Sequence, residues 1–98
     1  MSIANLAALL HGQRDLAGAQ ALYQRALAIR ERVLGPEHPD TATTLNNLGG
    51  LLYLQGDRSG ARSLLERALA SRLKILGPDH PHTKATLDSL RILASEMS

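Results

Sequence analysis

Histidine is the residue type in this sequence with the clearest chemical potential, because it binds metals and transfers protons near neutral pH. His80 and His82 flank Pro81 and could pair on a metal ion, and His38 lies in a matching stretch earlier in the chain. No carboxylate or thiol completes a ligand set, and the chain has no cysteine. Because His38 and His80 recur within the same loop pattern, the sequence favours a structural role for them over a metal site.

Catalytic motifs are the next chemistry to consider. Serine, histidine and aspartate are all present, but the sequence has no nucleophile elbow, phosphate-binding loop or metal-binding helix motif. Without cysteine there is no thiol nucleophile and no disulfide framework. The sequence therefore predicts a protein that is not an enzyme and uses no cofactor or metal.

A run of arginines is the remaining chemical feature. Arg58, Arg62, Arg67 and Arg72 spread around a helix and alternate with acidic residues such as Glu66. The net charge is only +2, and the aromatic content of 2% leaves few side chains to stack on nucleic-acid bases. These arginines are therefore interpreted as a solvated surface, and no nucleic-acid partner is expected.

An internal repeat organises the whole chain. Residues 34–41 (LGPEHPDT) return as residues 76–83 (LGPDHPHT), which is an offset of 42 residues. The same offset relates residues 5–6 to 47–48, 18–19 to 60–61, and 25–28 to 67–70. A fixed, helix-like period of this size is typical of an α-solenoid. Solenoids present binding surfaces and seldom carry out chemistry.

Apolar spacing in the first copy predicts two helices. A short helix runs from Ile3 to Leu10, and Asp15 is placed to cap a second helix that ends at Gly35 and Pro36. Its predicted apolar face consists of Ala19, Leu22, Tyr23, Ala26, Ile29 and Val33.

The second copy repeats this pattern, with Pro39 in the first turn of its first helix. Its two helices have these predicted apolar faces: Leu45, Leu48, Leu51 and Leu52, then Ala61, Leu64, Leu65, Ala68 and Ile75. A last helix is predicted with an apolar face and a polar face on opposite sides. The apolar face consists of Leu87, Leu90, Leu93 and Ala94, and the polar face of Lys84, Asp88, Arg91 and Ser95. Such a polar outer face suits a capping helix, because a terminal helix has no further neighbour on that side.

The chain is expected to be one all-α domain over residues 1–98, with repeat 1 at about 2–38, repeat 2 at about 39–80 and the capping helix at about 81–96. No segment approaches the roughly 18 apolar residues of a membrane span. Residues 3–10 lack a basic leader and a small-residue cleavage site. We therefore expect a soluble, cytoplasmic protein with no membrane partner.

The repeat resembles a known family. The residues that carry the resemblance are Leu45, Leu48, Gly49, Leu52, Ala61, Leu65 and Ala68, and in the first copy Ile3, Leu6, Ala7, Leu10, Ala19, Tyr23 and Ala26. Their spacing is similar to that of the tetratricopeptide repeat, in its longer form found in kinesin light chains and bacterial relatives. The resemblance implies a right-handed superhelix whose concave face receives a peptide or a partner helix.

Candidate binding residues follow from the resemblance. Asn5 and Asn47 match positions from which family members hydrogen-bond the backbone of a bound peptide; alternatively, each contacts a neighbouring helix or water. Asn46, next to Asn47, is also included among the candidate peptide-binding residues; alternatively, it faces solvent or another helix. His11 and Tyr53 lie about one turn further and can line the same groove, although Tyr53 can equally be a packing residue.

The family also includes members that clamp a C-terminal carboxylate with basic residues. The matching places here hold Ala85 and Ser89, while Lys84 and Arg91 are off register. This difference argues against a carboxylate clamp.

Two functional hypotheses remain open. In the first, the chain is a protein interaction module that binds a peptide in its groove. In the second, it is a structural element that forms homo-oligomers or belongs to a longer array, because its first helix begins directly after Met1 with no preceding lid.

Overall fold

A computed structural model of the protein describes residues 11–12 and 14–97. Four helices follow one another within these residues: α1 (Leu16–Val33), α2 (Pro39–Leu54), α3 (Arg58–Leu76) and α4 (Pro81–Met97). The main packing contacts join consecutive helices. This arrangement confirms the predicted all-α solenoid. The short helix predicted at Ile3 to Leu10, and Asn5 within it, lie outside the described residues.

Aspartates begin the second helix of each repeat. The Asp15 carboxylate accepts a hydrogen bond from the Gly18 N–H at 3.1 Å, and that of Asp57 accepts one from the Gly60 N–H at 2.9 Å. Each bond satisfies a backbone donor that the first helical turn leaves free. The predicted N-cap at Asp15 is confirmed, and it recurs at Asp57.

The loop histidines cap the first helix of each pair. His38 Nδ1 accepts the Asp40 N–H, and His80 Nδ1 accepts the His82 N–H, each at 3.0 Å. The prolines that follow both histidines open α2 and α4, where a missing N–H is no loss. Capping is therefore the structural use of the repeated histidine loop.

Small residues allow the helices to approach each other. All four alanines of the predicted apolar faces in α1 and α3 are buried: Ala19, Ala26, Ala61 and Ala68. The core is layered, with one cluster built around Ala19, Tyr23, Leu48 and Leu51 and another around Ala61, Leu65 and Leu93.

Three residues predicted on the apolar faces are exposed instead. Ile29, Val33 and Ile75 have 39%, 69% and 39% of their surface accessible. Towards the ends of α1 and α3 the inward positions are taken by Arg30 and Arg72, which lie one turn after the buried alanines. These arginines form hydrogen bonds where apolar contacts were expected, and the two isoleucines and the valine lie at the surface instead.

The last helix has the polar outer face that was expected. Leu93 is buried and Leu90 packs against the same cluster, whereas Lys84 and Arg91 are exposed. Ala94, which the spacing placed on the apolar side, is exposed, because none of the described helices covers that flank of α4.

Candidate functional site

A buried arginine holds the N-terminal ends of α2 and α4 together. Arg72 is only 6% exposed, and its Nη1 donates to the Thr86 hydroxyl at 2.7 Å and to the His82 carbonyl at 3.2 Å. Its Nη2 donates to the Thr43 hydroxyl at 3.4 Å. No carboxylate pairs with Arg72 within residues 14–97. Burial lowers the pKa of Arg72, but a guanidinium remains a cation and can only donate.

The first repeat contains an equivalent arginine–threonine hydrogen bond. Arg30 Nη1 donates to the Thr44 hydroxyl at 2.5 Å and to the Asp40 carbonyl at 3.3 Å. Sequence reasoning missed the threonine partners of both arginines. The signal that could have found them is that Thr44 and Thr86, like Arg30 and Arg72, are separated by the repeat length.

Thr86 extends this network to Asn46 on α2. Its hydroxyl donates to Asn46 Oδ1 at 3.0 Å, so α4 and α2 are joined by a side-chain hydrogen bond. Of the two alternatives for Asn46, solvent or a neighbouring helix, the structure shows the helix. The asparagine is nevertheless only half-buried.

A pocket of about 190 Å³ lies between α2 and α4. An apolar cavity of roughly 150 Å³ is large enough to hold benzene, so this pocket has room for one side chain of leucine or phenylalanine size. We refer to it as the groove pocket. It is lined by Asn46, Gly50, Tyr53, Leu65, Ser89, Ile92 and Leu93.

Tyr53 forms the polar end of the groove pocket. Its hydroxyl donates to the Glu96 carboxylate at 2.5 Å, which raises the pKa of Tyr53 above its usual value. Arg58 lies over the ring, 5.4 Å from its centre, and its Nε contacts Glu96 at 3.5 Å. Tyr53 therefore presents its ring to the pocket while its hydroxyl is engaged by α4.

The structure brings together two of the predicted site residues, Asn46 and Tyr53, in one pocket. Asn47 is half-buried on α2 and does not line it. His11 contacts the buried Tyr23, with the two rings nearly perpendicular and 6.3 Å apart.

Sequence reasoning missed Gly50 and Ile92, which face the same pocket and are one repeat length apart. Ile92 is 59% exposed. A glycine inside a helix and an isoleucine on the otherwise polar side of α4 were the available signals.

Two other kinds of site have no support in the part of the chain that the structure describes. No helix there is both long and apolar enough to cross a membrane. Likewise, no three His, Cys, Asp or Glu side chains from residues 11–12 and 14–97 converge as metal ligands would.

Comparisons with known proteins agree with this architecture. A family model described as "Tetratricopeptide repeat" matches residues 1–74. The crystal structure of BtubC (BKLC) from P. vanneervenii superposes with a TM-score of 0.91 at 21% identity, over 97% of this chain and 37% of that one. The chain thus spans little more than a third of the length of that structure. The curated proteins gave no match.

Proposed function

The chain belongs to the tetratricopeptide repeat family, and we propose that it is a non-catalytic module of the kinesin light chain-like type that binds a peptide or partner helix in its concave groove. The observation that carries the proposal is the groove pocket, whose lining combines apolar floor residues with a half-buried amide and a tyrosine. Binding takes place in the cytoplasm, without nucleic acid or membrane.

The groove pocket suits a protein ligand because its lining combines apolar and polar groups. Leu65 and Leu93 lie at its buried side, and Ile92 adds exposed apolar surface at its edge. Asn46 and Tyr53 supply polarity on α2. Pockets of this composition anchor one apolar side chain and orient the main chain through a few polar groups.

The other candidate residues extend the proposed surface along α2 and towards the first repeat. Asn47 neighbours Asn46 on α2, and Asn5 occupies the matching place in the first copy. Asn5, Asn47 and His11 are proposed as secondary contacts of a longer ligand.

Self-assembly is a second candidate function, and an exposed apolar edge favours it. Val33 and Leu34 are exposed at the end of α1, and Leu34 and Ile75 border a common depression at the repeat loop. A homo-oligomer or a longer array could bury this edge. It lies apart from the groove pocket, so the two candidates can be separated by mutation.

Selection of peptides from a randomised display library tests the groove proposal. Binders are selected on the parent chain and then tested on Gly50→Leu, whose new side chain meets no atom of the protein at its Cβ and extends into the pocket. Ala28→Leu, which adds the same side chain at an exposed position of α1, is the matched control. We expect Gly50→Leu to lose the selected peptides and Ala28→Leu to retain them. Peptides that bind both variants alike would place the interaction elsewhere.

Light scattering over a wide concentration range tests the self-assembly candidate. A concentration-independent monomer supports binding of a foreign partner. An oligomer that Val33→Lys dissociates would instead identify the exposed apolar edge as an assembly surface.

A further inference from the structure

We infer that the exposed edge of α1 is a second docking surface, separate from the groove, for a helical segment of another protein that carries two carboxylates. This surface, which we call the α1 edge, consists of Arg25, Ile29, Arg32 and Val33. The inference goes beyond the proposed function and does not rest on it, because no residue of α1 lines the groove pocket.

The second repeat shows how the matching edge of α3 is used. Arg67 Nη2 pairs with the Glu31 carboxylate of α1 at 2.9 Å, and Lys74 Nζ pairs with the Glu37 carboxylate of the following loop at 2.7 Å. Ser71 lies between these two cations in α3, is buried, and borders the same depression as Glu37. This edge of α3 therefore packs on the first repeat through two ion pairs and the side chain between them.

The α1 edge repeats the same positions one repeat length earlier. At the offset of 42 residues its four members match these residues of α3, in order: Arg67, Ser71, Lys74 and Ile75. Ser71 is 6% exposed, whereas its counterpart Ile29 is 39% exposed. Ile75 is 39% exposed, whereas its counterpart Val33 is 69% exposed. The α1 edge thus has the pattern of an interface without the cover that the first repeat gives to α3.

The two arginines of the α1 edge have no carboxylate partner. Arg25 and Arg32 are exposed, and neither forms an ion pair within residues 14–97, the range that contains all the Asp and Glu side chains of the chain. Seven residues of helix separate them, which is a rise of about 10 Å. A partner that pairs with both must therefore present two carboxylates at about this spacing, as Glu31 and Glu37 do for α3.

The apolar members of the α1 edge complete the chemistry of the partner. Exposed ion pairs contribute little affinity but select a partner by its charge, whereas burial of apolar surface provides the affinity. Ile29 offers more apolar surface than Ser71 does at the matching place of α3, and Val33 extends this surface by one turn. The inferred partner is thus an amphipathic helical segment with apolar side chains between two carboxylates.

A second copy of this chain does not have this chemistry. Two copies that met through their α1 edges would place arginines against arginines. The opposite end of the chain would have to supply counterparts of Glu31 and Glu37. These counterparts are Leu73 and Asp79, so one of the two carboxylates is missing. The charges therefore favour a different protein as the partner.

Selection from a helical display library tests the inference. The library is a stable three-helix scaffold in which the surface of one helix is randomised, and binders are selected on the parent chain. Each binder is then measured on Arg25→Glu/Arg32→Glu and on the control Lys84→Glu/Arg91→Glu. The control reverses two exposed cations of α4 that have the same seven-residue spacing, so the change in net charge is matched.

We expect binders whose affinity falls about tenfold or more on Arg25→Glu/Arg32→Glu and stays at the parent level on the control. The same binders should retain their affinity for Gly50→Leu, which fills the groove pocket and not the α1 edge. Their sequences should share two acidic residues six or seven positions apart. Replacing these two acids by lysine should restore binding to Arg25→Glu/Arg32→Glu.

Three results would overturn the inference. In the first, every binder is lost on Gly50→Leu and none on Arg25→Glu/Arg32→Glu, which would leave the proposed function intact. In the second, the control weakens binding as much as the reversal in α1 does. In the third, the parent is an oligomer by light scattering and Arg25→Glu/Arg32→Glu dissociates it, which would make a second copy the partner.

Circular dichroism checks that Arg25→Glu/Arg32→Glu keeps the helical content of the parent. If this variant does not fold, Ile29→Lys takes its place, because it changes one exposed side chain at the centre of the α1 edge. We expect Ile29→Lys to weaken the same binders about tenfold. Parent-like affinity on a folded Ile29→Lys would remove the α1 edge from the interface.

Discussion

Two adjacent glycines in α2 provide a sharp test of how this helix packs. Gly49 and Gly50 occupy the same helix interior, so replacing either by alanine gains about 1 kcal/mol of helix propensity. Their surroundings differ. A Cβ at Gly49 would lie 2.9 Å from Leu65 Cγ and 3.4 Å from the Ala61 carbonyl oxygen, whereas one at Gly50 would meet nothing within 4 Å.

These distances set the expected magnitudes. At Gly50 the propensity gain is unopposed, so Gly50→Ala should stabilise the protein by about 1 kcal/mol and raise Tm by about 4–8 °C. At Gly49 overpacking costs about 1–3 kcal/mol, which cancels or exceeds the gain. Gly49→Ala should therefore leave Tm unchanged or lower it.

Thermal unfolding followed by circular dichroism measures both variants under one set of conditions. The informative quantity is the difference in Tm between the two variants. Both make the same substitution in the same helix, so their effects on helix propensity and on the unfolded chain cancel. Equal stabilisation by the two alanines would refute the packing of α2 against Leu65, and with it the position of the groove pocket.

Three further outcomes are expected. Ala68→Leu should cost about 1–3 kcal/mol, because a fully buried alanine leaves no room for a larger side chain, and chemical denaturation would measure it. Asp57→Ala should cost about 0.5–2 kcal/mol through loss of the bond from the Gly60 N–H, with Asp57→Asn close to the parent. In a spectrophotometric titration, Glu96→Ala should lower the pKa of Tyr53, since the hydrogen bond to Glu96 is the main cause of its raised value. An unchanged titration would show that Tyr53 does not bond Glu96.

The fold could be predicted from the sequence because its determinants are local and repeated. Asp15 and Pro39 mark helix starts, and the buried alanines mark close helix contacts. The exposure of Ile29 and Val33 could not be read from spacing, since it depends on Arg30 taking the inward position.

The candidate site was only partly predictable. Asn46 and Tyr53 were named as candidates, but their meeting in one pocket depends on how α4 packs against α2. The role of Thr86 was not predictable either, because it requires a buried arginine from a third helix. Polar networks across helices leave a weaker trace in the sequence than apolar periodicity does.

The most direct test of the central claim is to map where a selected peptide binds, using backbone amide signals of the labelled protein during a titration. We predict the largest shifts at the groove pocket, with Gly50, Ser89 and Ile92 foremost. Shifts confined to the exposed edge at Val33, Leu34 and Ile75 would contradict the account, because they would place recognition on the surface away from the groove.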